Sequence, residues 1–198
     1  MALRTPGEYK ESLRDDRVVY IRGEKVKDVT KDPMLKVGVE TAAIDYEMAE
    51  MPEFRDLATV TLDSGEVISR YYYTPKDSND LLKRHELMVT ATRLGGGVIP
   101  FTKDIGADAM NAVNIISNMM GEEKYLKRAE EYRRHLQKND LSVAVAMSDA
   151  KGDRSLHPSS PDQAHPDYYL RVVDQNDKGI IVRGAKMHIT AAPYCNEF

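Results

Sequence analysis

The chain changes character at Asp140. Before it, apolar residues recur at helical spacing; residues 105–120, for example, put Ile105, Met110, Val113 and either Ile116 or Ser117 on one face. After it, residues 141–147 form a run of small apolar side chains that reads as a strand, and residues 155–167 are rich in Pro and Ser. Residues 168–173 and 180–182 flank a turn at Asn176-Asp177-Lys178-Gly179, so a hairpin is expected there. Helices and strands segregated along a chain define the α+β class. The expected organisation is a mostly helical domain with small hairpins over residues 1–139, then the opening part of a β domain over 140–198. Three or four strands with one uncovered face do not complete a domain. A second polypeptide, further residues of the same one, or a homo-oligomer is expected to cover that face.

Local signals punctuate the helical part. Thr5-Pro6-Gly7-Glu8 is a capping box with Pro at the first helical position, and a short helix to about Arg14 follows. Residues 18–21 and Val26 flank Arg22-Gly23-Glu24-Lys25, which suggests a small hairpin. Asp32-Pro33 is expected to open a helix to about Met51. Residues 59–62 and 67–73 read as a second hairpin, and Asp77 or Ser78 as the cap of a helix through Leu94. Gly95, Gly96 and Gly97 end that helix. They do not make a dinucleotide-binding loop, because they follow a helix and lack the G-x-G-x-x-G spacing. Gly121 is the expected C′ residue before a charged helix over 122–138.

Composition excludes several functions. Lys and Arg total 28 against 32 Asp and Glu, a net charge of −4 and not the basic excess of a nucleic-acid binder. No apolar run reaches the length of a membrane span, and the N-terminal residues show no signal-peptide pattern. The lone Cys195 rules out an internal disulfide framework and points to the cytoplasm. His157 and His165 have no third ligand nearby, so no metal site is expected.

Several motifs in order carry a resemblance. They are Gly7-Glu8-Tyr9, the run from Tyr20 to Thr30, Gly106-Ala107-Asp108-Ala109-Met110-Asn111-Ala112-Val113, Asp149-Ala150-Lys151-Gly152-Asp153-Arg154 and Gly184-Ala185-Lys186-Met187-His188. Together they resemble the 4-hydroxyphenylacetate 3-hydroxylase family of flavoproteins. The later motifs are closer to its dehydratase branch, the 4-hydroxybutyryl-CoA dehydratase/vinylacetyl-CoA isomerase-like members. The match covers only the N-terminal portion of such proteins.

The resemblance implies an acyl-CoA dehydrogenase-like fold, FAD or reduced FAD as cofactor, and an oligomer. It implies a small-molecule substrate, a CoA thioester among the candidates. Flavin contacts would fall at Val145, Ala146, Met147, Lys151, Gly152, Asp153, Arg154 and Thr190. On spacing alone, Asp153-Arg154 also reads as an ion pair within a turn, and Thr190 as an ordinary strand threonine. Substrate would meet Phe101 and Ile105. The hydroxylases' phenol-recognising Arg, Tyr and His would fall at Phe101, Ile105 and Val145, none of which binds a phenolate. The dehydratase's loop cysteines would fall at Pro100 and Asp104, which argues against an iron–sulfur cluster. The expected function is that of a flavin-dependent dehydratase, isomerase or oxidoreductase, or a subunit of one, acting on an acyl-CoA or similar small substrate. The alternatives are a monooxygenase component using reduced flavin and a non-catalytic subunit completing an oligomer. No catalytic base is identified.

Overall fold

The computed structural model describes residues 3–100 and 102–198. They form two compact units. One runs from the N-terminus to Ala144 and takes back Ala191–Phe198; the other is Val145–Thr190.

The first unit starts with α1 (Pro6–Ser12), closed by the expected capping box. Thr5 Oγ1 accepts from Glu8 N at 3.1 Å, and Glu8 Oε2 accepts from Thr5 N at 2.8 Å. Tyr9 of α1 is fully buried, stacks on Tyr46 at 4.5 Å between centroids, and donates to the Tyr194 carbonyl at 2.7 Å. The strands β1 (Tyr20–Ile21) and β2 (Glu24–Lys25) form a minimal hairpin. Arg22 and Gly23 turn it with φ of 52° and 86°, the left-handed pair that a two-residue loop demands.

Helix α2 spans Lys36–Glu50, a turn later than Asp32-Pro33 suggests. The Asp32 carboxylate accepts from the Met34 and Leu35 amides at 2.9 and 3.2 Å, which holds a turn ahead of the helix proper. A short helix that the sequence did not announce, α3 (Arg55–Ala58), leads into the hairpin of β3 (Thr59–Thr61) and β4 (Val67–Ser69). A 3₁₀ turn, Arg70–Tyr72, sends Tyr71 and Tyr72 into the core. The Arg70 guanidinium ties α3 down through the carbonyls of Asp56, Leu57 and Thr59 at 2.6–2.9 Å.

Helix α4 (Ser78–Leu94) is capped by Asp77 Oδ1, which accepts from Asp80 N at 2.9 Å. Helices α5 (Asp104–Met119) and α6 (Glu123–Asn139) follow as an antiparallel pair joined through Gly121, φ 68°. The inward face of α5 matches only part of the one its apolar spacing predicts. Met110 packs on the core and Ser117, the alternative to Ile116, is buried, but Ile105, Val113 and Ile116 are 42%, 48% and 54% exposed, and Asp104, Gly106 and Ala107 are buried instead. Gly106 explains the rotation: its backbone packs directly on Val143, where an added Cβ would overlap the Val143 side chain and lie 2.6 Å from its carbonyl oxygen. A helix drawn in this closely turns its small residues inward and its bulky ones out.

Residues 141–147 do not form the expected strand. Only Val143 makes a bridge, to Glu197. The backbone of this stretch is divided between two segments: the Val143 amide donates to the Thr102 carbonyl at 2.7 Å and the Ala144 amide to the Glu197 carbonyl at 2.9 Å. The Ser142 amide goes to a side chain, Asn196 Oδ1, and the Met147 amide turns back to the Val145 carbonyl, so no ladder extends along the stretch. Asn196 Oδ1 accepts from Ser142 N, Ser142 Oγ and Arg4 at 3.0–3.1 Å, which anchors the returning C-terminal segment. This compact unit thus takes in residues 141–144 together with Ala191–Phe198.

In the second unit β5 (Arg171–Asn176) and β6 (Gly179–Arg183) pair antiparallel, with an irregularity between Val172 and Asp174. Every residue of both strands is exposed. Asp167 accepts from Arg171 at 3.0 Å and from Arg183 at 2.8 Å, pinning the base of the hairpin. Among the described residues no helix is long and apolar enough to cross a membrane.

Candidate functional site

The two segments singled out in the second unit lie side by side. Met187 N donates to the Ser148 carbonyl at 2.8 Å and Ala150 N to the Ala185 carbonyl at 3.0 Å, around an antiparallel bridge between Asp149 and Lys186. The Lys186 ammonium lies 2.7 Å from Asp149 Oδ1, and this hydrogen bond holds the Asp149 carboxyl below its usual range. Lys186 also donates to the Met147 carbonyl at 3.3 Å. Val145, Ala146 and Met147 thus lead into a tethered edge, and Lys151 follows in a left-handed conformation, φ 59°, its amide on the Tyr168 carbonyl at 3.1 Å.

Gln163 organises the next turn. Its amide oxygen accepts from Asp153 N at 2.9 Å and its amide nitrogen donates to the Asp153 carbonyl at 2.8 Å. Gly152 fits beneath it, with room for no Cβ against Tyr168 Cδ2 at 2.6 Å. The Asp153 carboxylate accepts from Ser155 N and Oγ at 2.8 and 2.7 Å; these bonds lower its pKa and close the turn. The ion pair with Arg154 that spacing suggested is not formed. Among the described residues the side chains of Lys151, Arg154 and Thr190 have no hydrogen-bond or ion-pair partner, and all three are exposed. A depression of about 540 Å³ in the same unit is lined by His157, Ser159, Tyr169 and Arg171, and by none of the expected flavin contacts.

In the first unit, Phe101 lies outside the described residues. Ile105 is partly exposed at the start of α5. Its neighbours Thr102, Lys103 and Asp104 are no more than 2% exposed. Thr102 donates its hydroxyl to Asp45 of α2, and Lys103 pairs with Asp140 at 2.7 Å. Burial pushes the Asp45 carboxyl up to about 6 and also raises Asp104. Among the described residues, Asp45 Oδ1 and both Asp104 carboxylate oxygens have no hydrogen-bond partner. Sequence reasoning missed Asp45 and Lys103; an acidic residue inside the Val39, Ala42, Ala43, Tyr46, Ala49 stripe of α2 was the available signal. Cys195 is 2% exposed, and burial drives its thiol up to about 11, which keeps it protonated and inert.

The model of the 4-hydroxyphenylacetate 3-hydroxylase N-terminal family matches residues 5–198. The chain belongs to this family. It is 37% identical over 197 residues to the 4-hydroxybutyryl-CoA dehydratase/vinylacetyl-CoA-Δ-isomerase of Clostridium aminobutyricum, covering 96% of this chain and 39% of that one. It is 29% identical to the oxygenase component of 4-hydroxyphenylacetate 3-monooxygenase from Escherichia coli, covering 94% of this chain and 35% of that one. Among solved structures, an oxygen-tolerant archaeal 4-hydroxybutyryl-CoA dehydratase from N. maritimus superposes with a TM-score of 0.82 at 32% identity, over 98% of this chain and 39% of that one. The 4-hydroxyphenylacetate 3-monooxygenase oxygenase component, solved with FAD and 4-hydroxyphenylacetate, gives 0.80 at 29% identity over 93% and 38%. This family member spans 35% and 39% of the lengths of the two curated relatives named here.

Proposed function

We propose that this chain is the N-terminal portion of a flavin-dependent enzyme of the dehydratase branch, acting on an acyl-CoA. The observation that carries this reading is the paired edge of the second unit. It brings the 145–154 and 184–190 segments together and leaves the donors of Lys151, Arg154 and Thr190 free. An isoalloxazine edge and a diphosphate are rich in acceptors, so unpartnered donors on a tethered edge suit both. Met147, 76% exposed, offers apolar contact beside them, and Gly152 and Asp153 fix the turn that presents Arg154.

When bound, the flavin supplies the redox-active ring; the protein orients it and tunes its charge. In this reading Thr190 donates to the ring edge, Arg154 and Lys151 offset negative charge, and Val145 and Ala146 give a small apolar approach. Phe101 and Ile105 border the substrate. Pro100 offers no ligand atom and Asp104 only oxygen, which does not suit a cluster held by thiolates. The stronger similarity to the dehydratase, 37% against 29%, favours that branch over a monooxygenase component using reduced flavin.

The wider fold in this reading is acyl-CoA dehydrogenase-like, the setting is cytoplasmic, and a homo-oligomer or second polypeptide covers the exposed strands β5 and β6. The domain limit belongs to the same proposal: the β domain opens near residue 140. Titration with oxidised and reduced FAD, followed by flavin absorbance and fluorescence, tests the cofactor. Saturable binding weakened by Arg154→Ala and by Thr190→Val is the expected result. Unchanged binding in both variants would remove these residues from the site. Absence of binding, alone or with a polypeptide supplying the remainder of the relatives' length, would leave a non-catalytic subunit as the better reading.

A further inference from the structure

A groove of about 860 Å³ in the first unit lies outside every residue assigned above. Its floor is the β3–β4 hairpin, with Leu62 and Ile68; one wall is the segment after the 3₁₀ turn, with Tyr73 and Lys76. The other wall is the end of α6, with Arg133, Arg134 and Lys138. Four cations thus face one carboxylate of the lining, Glu66, in a chain whose net charge is −4.

The cations are not equivalent. Arg133 is a fixed part of the wall: it is bound to both Glu130 oxygens at 2.6 and 2.7 Å, to the Tyr72 carbonyl at 2.8 Å and to Gln137 at 2.7 Å. Arg134 spends one donor on Glu130 at 3.0 Å and keeps a side chain 72% exposed. Lys76 and Lys138 are exposed and have no ion-pair partner among the described residues. The Lys76 ammonium lies 5.9 Å from the centroid of the half-buried Tyr73 ring. A basic residue in the last turn of α6 offsets its helix dipole, which accounts for Lys138. That effect does not account for Lys76, which reaches the groove from a different element, or for the aromatic ring beside it.

We propose that this groove holds the phosphorylated nucleotide end of a CoA thioester. Lys76, Arg134 and Lys138 meet its phosphates, which carry charge near −2 on a terminal group at neutral pH, and Tyr73 offers a face for the base. This inference deepens the acyl-CoA reading above and rests on it.

Isothermal titration of the full chain with CoA, dephospho-CoA, FAD and inorganic phosphate tests the assignment. The Lys76→Glu/Lys138→Glu double variant is compared with Lys124→Glu/Arg128→Glu, an equal charge change at exposed positions elsewhere on α6. The expected result is CoA binding that weakens with salt, is weaker without the terminal phosphate, and falls at least about tenfold in the groove variant but not in the control. CoA bound equally by the groove variant would overturn the groove and leave the acyl-CoA reading standing. No CoA binding by the wild type would overturn the acyl-CoA reading and the groove with it. Parallel loss of FAD and CoA binding in the groove variant would mark a general polyphosphate site and overturn the assignment to CoA.

Discussion

The ammonium of Lys103 lies 2.7 Å from Oδ1 of Asp140, with the two side chains 1% and 4% exposed. Asp140 ends α6 in a left-handed conformation, φ 45°, and its other carboxylate oxygen accepts from Arg4 N at 3.1 Å. The ammonium also sits 3.8 Å from the centroid of Tyr46 on α2. One buried ion pair therefore joins the loop before α5, the end of α6, the N-terminal segment and α2.

Removing one partner leaves a buried charge uncompensated. Lys103→Met is expected to cost about 3–5 kcal/mol, and the double variant Lys103→Met/Asp140→Asn distinctly less than the sum of its parts. Urea denaturation of the three variants measures this. A loss under about 1 kcal/mol for Lys103→Met would mean that the charge finds water.

Asp45 gives a pH dependence of unusual sign. Burial raises its carboxyl from 3.8 to about 6, so the folded state holds a proton that the unfolded state releases. Its contribution to stability is greatest below 3.8 and is lost as the pH rises through about 6. Other carboxyls, such as Asp28 and Glu130, are lowered and act the opposite way. The comparison that isolates Asp45 is wild type against Asp45→Asn between pH 4 and 7. The variant gains on the wild type as the pH rises; parallel stability curves would refute the assignment.

Gly106 and Gly7 predict opposite responses to the same substitution. A Cβ at Gly106 would overlap the Val143 side chain and backbone, so Gly106→Ala is expected to cost about 1–3 kcal/mol. At Gly7 the nearest atom to a new Cβ is Thr5 Oγ1 at 3.8 Å, and Gly7→Ala is expected to stabilise by roughly 0.5–1 kcal/mol. Thermal melts of both variants check the pair.

Cys195 should be silent towards thiol reagents in the folded protein. With its pKa near 11 and 2% exposure, alkylation at pH 8 is expected to run at least ~100-fold slower than for a free thiol of pKa about 8.5. Denaturant should restore the ordinary rate. Fast modification of the native chain would mean that the segment from Ala191 to Phe198 detaches readily.

Elements whose cause lies within a few residues were legible in advance. The Thr5–Glu8 capping box, the Asp77 cap, the left-handed Gly121 and the hairpin around Asp177-Lys178 each satisfy their own backbone groups locally. Short α3 gave no such signal, because Arg70 holds it from a distance. The segments proposed to contact flavin were legible as ordered motifs, but the turn of Asp153 towards Ser155, with Gln163 behind it, was not. A carboxylate beside an arginine reads as an ion pair until a neighbouring hydroxyl and amide claim it.

By itself the sequence determined the α+β order, the caps and turns, and membership of the 4-hydroxyphenylacetate 3-hydroxylase family, because spacing and local hydrogen bonding need no distant partner. Tertiary structure decided which face of α5 points inward, where residues 141–144 send their amides, and that Asp45 and Lys103 are buried. Those outcomes depend on the close seat of Gly106 on Val143 and on partners as far along the chain as Asn196. A close contact between distant residues can override the periodicity of one helix, since packing without voids or overlap outweighs the placement of a few exposed methyl groups.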